Sequence, residues 1–196
     1  MSAIALTTPP RRVLADVVGR SRVADVALVV GAAALVGLLA QISIPLGFTP
    51  VPITGQTLGV LLAGSALGWR RAGLSMTLYV LAGLAGVPWF AHHASGYPSA
   101  TFGYLLGFVV AATVLGALAE RGRDRHVGRA LVSMVLGEVL IFACGVTWLA
   151  HALHVSFSQA VALGLTPFVW GELIKAALAG VALPSSWRLV ARLTKS

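Results

Sequence analysis

The feature that most constrains this chain is the alternation of long apolar runs with short blocks of basic residues. The apolar runs number six and begin near Ala24, Thr54, Ala72, Thr101, Ala130 and Thr166. The segments before the first run and after the second, fourth and sixth runs hold four, two, four and three of the 14 Lys and Arg residues. Because Lys and Arg collect in the cytoplasmic loops of membrane proteins, this alternation predicts an even number of spans with both termini in the cytoplasm.

The composition agrees with burial in a bilayer. Hydrophobic residues make up 58% of the 196 residues and charged residues only 10%, whereas a soluble domain is about 25% charged. The runs do not alternate at period two, which excludes a membrane β-barrel, and a helix satisfies its own backbone groups in lipid. We therefore expect an all-α integral membrane protein, a bundle of six transmembrane helices in the cytoplasmic membrane.

The same pattern divides the chain into three parts. Residues 1–22 are predicted to be a cytoplasmic basic segment, residues 23–187 the six-helix membrane domain, and residues 188–196 a cytoplasmic basic tail. Between the fifth and sixth runs, residues 151–165 are expected to form a loop. The sixth run is expected to end near Leu183-Pro184, where the basic tail follows.

Several function classes lack their signatures in this sequence. The net charge of +8 would suggest nucleic-acid binding in a soluble protein, but the basic blocks are short and carry no interleaved aromatic residues. Cys144 is the one cysteine and cannot form a disulfide or a structural zinc site. The adjacent His92 and His93 are poorly spaced as helical metal ligands. No phosphate-binding loop ending in Lys-Ser/Thr and no nucleophile elbow is present, so we expect neither an enzyme nor a cofactor.

Charged residues also lie away from the ends of two predicted spans, Glu138 in the fifth run and Glu172 and Lys175 in the sixth. A charged group at the centre of a span costs about 2.5–3.5 kcal/mol on insertion scales, so it is expected to face the protein interior and to have a role. Glu172 and Lys175 share one helix face, in the half of the helix nearest the predicted outer loops. They are candidates for ligand binding, or the pair could simply neutralise itself. Glu138 could be structural or could pair with Lys175.

Polar and aromatic residues collect on the same predicted side of the bundle. Gln56 opens the second run and offers two donors and an acceptor to a ligand, although it could equally bond a neighbouring helix. The aromatic rings could form an interfacial belt or the apolar walls of a small-molecule pocket. The predicted substrate-binding residues are Gln56, Trp89, Phe90, Tyr104, Trp148, Glu172 and Lys175.

The first run carries small residues at four-residue spacing, Ala27 with Gly31 and Ala33 with Gly37. Such spacing lets two helices approach closely. It could serve packing inside the bundle or the docking of a partner subunit, and the spacing alone does not choose between them.

Four motifs together resemble the BioY family, and the resemblance covers about residues 24–185. The motifs are Pro50–Gly64, Leu81–Ala91, Gly103–Phe108 and Pro167–Lys175, in the order of that family. The resemblance implies a six-helix S component that binds biotin and works with a T component and two ATPase subunits in an energy-coupling factor (ECF) transporter. It further implies that Glu172 and Lys175 contact biotin, and that the small-residue face of the first helix docks the T component.

The sequence also departs from the pattern of that family. Glu172 stands where Asp is more common, and His92-His93 stand where small residues are expected. The predicted outer loops contain no Arg that could hold the carboxylate of biotin. The remaining candidates for that contact are Ser99, Thr101, Tyr104 and Lys175.

Other functions remain open on the residues alone. The chain could be an S component for another vitamin, which would differ only in the chemistry of its pocket. It could be a self-sufficient transporter or channel. An intramembrane enzyme or a purely structural membrane protein is the weakest alternative, because the sequence contains no acid–base or nucleophile constellation.

Overall fold

The computed structural model describes residues 13–18 and 21–193, and most of these residues are helical. The α-helices are α1 Arg22–Ala40, α2 Gln56–Leu67, α3 Trp69–Leu84, α4 Phe102–Glu120, α5 Val127–Leu153, α6 Phe157–Gly164 and α7 Val169–Leu193. Short 3-10 helices cover Leu14–Val17, Ala91–His93, Arg123–Arg125 and Thr166–Phe168. Two short strands, β1 Ser43–Ile44 and β2 Ile53–Thr54, pair antiparallel between α1 and α2, with Ser43 opposite Thr54.

Each of the six predicted apolar runs contains an α-helix, but these helices differ in length. Four stretches are long and apolar enough to cross a membrane, namely α1, α4, α5 and the 37-residue stretch Phe157–Leu193 that contains α6 and α7. Helices α2 and α3 have 12 and 16 residues and are shorter than the roughly 20 residues of a full span. Gly68, in a positive-φ conformation (φ 81°), separates α2 from α3.

The helices bury large apolar side chains in the core and also leave large apolar side chains exposed on the outside. The largest fully buried side chains include Leu61, Met76, Tyr79, Leu115, Met134 and Ile141. Large apolar side chains such as Leu38, Leu74, Val132 and Ile174 are exposed on the outer faces of their helices. An apolar exterior of this kind suits contact with lipid, because a soluble monomer rarely exposes large apolar patches.

Helix α5 packs closely against α4 through glycines of α4. A Cβ atom added at Gly103 would lie 2.1 Å from the Cβ of Trp148, and one added at Gly107 would lie 2.9 Å from the Cα of Ile141. Both distances are below van der Waals contact, so only glycine allows this approach. The contact fixes α5, which in turn packs on α7, and α2 contacts both α4 and α7.

The prediction of a loop over residues 151–165 was wrong in part. Helix α5 runs to Leu153, and α6 occupies Phe157–Gly164. The hydroxyl of Ser156 accepts from the backbone N–H of Gln159, and the Gln159 side chain accepts from the Ser156 N–H. This reciprocal capping box starts a helix that the sequence reading overlooked.

We predicted that the sixth apolar run ends near Pro184, but the helix extends further. Helix α7 continues to Leu193, with Pro184 buried inside it. Contacts beyond the proline hold the continuation in place. The indole N–H of Trp187 donates to the carboxylate of Asp124 over 2.5 Å, and the guanidinium of Arg125 lies 4.8 Å from the centre of the Trp187 ring. Asp124 is buried in the α4–α5 connection, and this burial raises the pKa of its carboxyl group.

Part of the predicted N-terminal segment packs on the bundle. Val13 and Ala15 are buried, and the guanidinium of Arg71 forms ion pairs with Asp16 (3.0 Å) and Asp25 (2.7 Å). Residues 1–12, 19 and 20, and the tail residues 194–196, lie outside the described residues. The predicted division into a basic segment, a membrane domain and a basic tail therefore stays a prediction.

Candidate functional site

A cavity of about 200 Å³ lies where the starts of α2, α4 and α7 meet two connections, residues 50–54 and 90–98. We call it the loop cavity. Buried side chains at its floor include Gln56, Thr57 and Glu172, and its walls include Phe90, Tyr104, Phe108, Phe142 and Phe168. Apolar walls with a few convergent polar groups are the usual composition of a small-molecule site.

Glu172 is the centre of the polar floor. Its carboxylate accepts from the hydroxyl of Thr57 (2.6 Å) and from the ammonium of Lys175 (2.7 Å). Lys175 also donates to the hydroxyl of Thr57 (3.0 Å) and to the backbone carbonyl of Thr54. The predicted pair on one face of the last helix is therefore an ion pair, and it is tied to the start of α2.

Lys175 supports the floor without lining the cavity. Its ammonium has three acceptors, and only 14% of its side chain is exposed. Lys175 thus holds one oxygen of Glu172 and Thr57 the other, while Glu172 still lines the cavity. The same geometry combines the two alternatives left open by the sequence, because the pair neutralises itself and Glu172 still faces the cavity.

Gln56 contributes to the floor through a chain of hydrogen bonds. Its side-chain amide donates to the hydroxyl of Tyr79 (2.7 Å), which donates to the backbone carbonyl of Trp89 (3.2 Å). The indole N–H of Trp89 donates back to the carbonyl of Tyr79 (2.9 Å). The amide oxygen of Gln56 makes none of these bonds. Sequence reasoning missed Tyr79, a single tyrosine in the middle of an apolar run.

The walls are set by aromatic contacts between helices. The Tyr104 and Phe142 rings pack edge to face with centroids 5.7 Å apart, and Phe142 packs against Phe168 at 6.2 Å. The hydroxyl of Tyr104 donates to the backbone carbonyl of Gly164 (2.7 Å). Because this hydroxyl is already bonded, Tyr104 presents mainly its ring to the cavity.

Of the seven predicted substrate-binding residues, Gln56, Phe90, Tyr104 and Glu172 line the loop cavity. Trp89 and Trp148 do not line it, and both indoles bind backbone instead. Trp89 bonds to Tyr79, and Trp148 donates to the carbonyl of Ser99 (2.8 Å). The lining residues that the prediction omitted are Val51, Thr57, His92, Leu105, Phe108, Phe142 and Phe168 among others. Their position follows from packing and carries no motif of its own.

A second, larger cavity of about 480 Å³ opens sideways between α5, α6 and α7, and we call it the lateral cavity. Its lining is almost wholly apolar, with Glu138 as an exception. Glu138 is buried, and its carboxyl group neighbours the carboxylate of Glu172. The two cavities share Phe142 and Glu172 as a common wall. We place the candidate site in the loop cavity because polar groups converge there.

The two pairs of small residues on α1 lie in different surroundings. Ala27 and Gly31 are exposed, and a Cβ added at Gly31 would meet no atom within 4 Å. Ala33 and Gly37 are buried inside the bundle, and a Cβ added at Gly37 would lie 3.1 Å from the Cβ of Trp89. The docking prediction is therefore carried forward for Ala27 and Gly31, while Ala33 and Gly37 serve internal packing.

No group of three or more His, Cys, Asp or Glu side chains within residues 13–18 and 21–193 is arranged to hold a metal ion. Cys144 is a free thiol, half-buried on α5. The apolar helices and the loop cavity together define a multi-pass membrane protein with a candidate small-molecule cavity at the starts of α2, α4 and α7.

Comparison with known proteins then gives the family. The model of the BioY family matches residues 11–192, so the chain belongs to the BioY family. It is 37% identical over 155 residues to the biotin transporter BioY of Rhizobium etli, which covers 74% of this chain and 81% of that protein. It is 40% identical over 151 residues to the biotin transporter BioY of Thermotoga maritima, covering 76% of this chain and 86% of that protein.

A solved structure shares the fold. It is a crystal structure of the S-component for biotin from an ECF-type ABC transporter, and it superposes with a TM-score of 0.76. The match covers 91% of this chain and 96% of that chain at 22% identity. At this identity the likeness concerns the arrangement of the helices.

Proposed function

We propose that this chain binds biotin as the substrate-specificity subunit of an ECF-type transporter. The observation that carries the proposal is the polar floor of the loop cavity, where Thr57 of α2 meets Glu172 and Lys175 of α7. Thr57 and Glu172 are 115 residues apart in the sequence. The relatives named as biotin transporters support the choice of ligand.

The chemistry of biotin matches this floor. Its ureido ring is neutral, with two N–H donors and one carbonyl acceptor. A carboxylate accepts from N–H groups, and hydrogen bonds to a charged partner contribute more than neutral ones, so Glu172 is assigned to the ureido N–H groups. Gln56 lies on the same floor, and the aromatic walls suit the apolar ring and aliphatic chain of the ligand.

The proposed function also requires a membrane topology and partner subunits. The alternation of basic residues supports six spans in the cytoplasmic membrane with both termini in the cytoplasm. Because the chain has no phosphate-binding loop, the energy of transport would come from two ATPase subunits bound through a T component. The exposed pair Ala27 and Gly31 on α1 is the proposed docking face for the T component.

Isothermal titration of the purified protein tests the proposal. We expect saturable, one-to-one binding of biotin, and no binding of riboflavin or thiamine at the same concentrations. Binding of another vitamin in place of biotin would assign the chain to a different ligand. Uptake of biotin by proteoliposomes that contain this chain alone would instead indicate a self-sufficient transporter.

A further inference from the structure

The lining of the loop cavity has a buried polar part and a solvent-exposed part. The floor, with Gln56, Thr57 and Glu172, is buried. A solvent-exposed edge of the cavity is formed by the connection over residues 90–98, where the lining residues His92 and Ala94 are exposed. A ligand with a polar ring at the floor would therefore extend its other end toward this connection.

His92 is the only described residue lining the cavity that has a basic side chain. Its neighbour His93 has the same side chain and is also exposed, but it does not line the cavity. The chain thus contains a matched pair of histidines, one at the mouth of the cavity and one beside it.

The connection is held in an uncommon backbone conformation. His92 has φ 59° and ψ 35°, and His93 has φ 56°, a left-handed region that residues other than glycine adopt infrequently and at some cost. Gln41 stabilises it, because its side-chain N–H group donates to the carbonyls of Trp89 and Phe90 (both 3.2 Å) and its oxygen accepts from the His93 N–H (3.1 Å). The strained conformation is therefore maintained by specific contacts from Gln41, the residue that follows α1.

The imidazole of His92 is itself positioned by β1. Its Nε2 lies 3.1 Å from the hydroxyl oxygen of Ser43. When the hydroxyl of Ser43 donates to Nε2, the ring carries its proton on Nδ1 and offers an N–H donor at that atom. An oriented N–H donor at the mouth of a cavity is suited to an anionic oxygen of the ligand.

We propose that His92 binds the carboxylate of the ligand at the mouth of the loop cavity, with Ser43 as its positioning residue. The inference rests on the proposed function, because it takes biotin as the ligand with its ureido ring on the floor. In that orientation the aliphatic chain of biotin runs along the aromatic walls and ends in a carboxylate near residues 90–98. His92 thereby supplies the contact for which the loops contain no arginine.

The test compares biotin with biotin methyl ester, in which the tail is neutral, by isothermal titration. His92→Gly removes the imidazole and suits the left-handed backbone, and His93→Gly makes the same change outside the cavity. We expect His92→Gly to lose about tenfold in affinity for biotin, as for one charge-assisted hydrogen bond, and to bind the ester as the parent protein does. His93→Gly should change neither affinity.

Two further variants test the donor at position 92 and the role of Ser43. His92→Asn retains a donor and tolerates positive φ, so it should recover part of the loss. Ser43→Ala should weaken biotin binding by less than His92→Gly does, again without affecting the ester. Equal losses for biotin and the ester, or an unchanged affinity of His92→Gly for biotin, would overturn the assignment of His92. Failure of the parent protein to bind biotin would instead refute the proposed function.

Discussion

Removal of the Glu172 carboxylate tests the polar floor most directly. In the structure this group has two partners, the hydroxyl of Thr57 at 2.6 Å and the ammonium of Lys175 at 2.7 Å. In Glu172→Ala the ligand loses its proposed acceptor, and a hydrogen bond to a charged group contributes about 1.5–3 kcal/mol. That range corresponds to an affinity loss of about tenfold to more than a hundredfold.

The same variant should remain folded. Breaking a buried ion pair completely costs about 3–5 kcal/mol, but Lys175 keeps the carbonyl of Thr54 and the hydroxyl of Thr57 as acceptors in Glu172→Ala. We therefore expect a lower thermal midpoint and an intact elution profile in detergent. Lys175→Ala should also lose about tenfold in affinity, although Lys175 does not line the cavity, because Glu172 then loses the contact that orients it.

The assay is titration of biotin into each purified variant, with thermal unfolding monitored in parallel. Glu172→Asp is the conservative control and should bind better than Glu172→Ala, because it keeps the carboxylate one methylene further from its partners. An unchanged biotin affinity in a well-folded Glu172→Ala protein would show that the ion pair is purely structural and that the ligand lies elsewhere.

Three further predictions concern topology, docking and the second buried carboxylate. In a variant whose Cys144 is replaced by Ala, a cysteine at Ser95 should react with an impermeant thiol reagent from outside the cell and one at Arg192 only from the cytoplasm; labelling of both from one side would contradict six spans. Gly31→Leu should bind biotin normally, because a Cβ at Gly31 meets no atom of the chain within 4 Å. The same variant should fail to co-purify with the T component, and retained co-purification would exclude this docking face. Glu138→Gln should change biotin affinity by less than about threefold, because Glu138 lines the lateral cavity and not the loop cavity; a larger loss, measured by the same titration, would connect the two cavities in ligand binding.

The sequence by itself determined the class of the protein and the position of most helices. Apolar runs and basic blocks are local properties of the chain, and the cost of charge in lipid acts on each segment separately, so these features could be interpreted without a structure. The pairing of Glu172 with Lys175 was predictable for the same reason, because a spacing of three residues places both on one helix face.

The tertiary structure decided which of the candidate residues meet. Thr57 and Glu172 are 115 residues apart, and their contact depends on how α2 and α7 are rotated against each other, which no local pattern specifies. Trp89 and Trp148 have the composition of pocket residues, but packing directs their indoles to backbone carbonyls. Whether an aromatic ring lines a cavity or seals a helix contact depends on its neighbours in space, and these are set only when the helices pack.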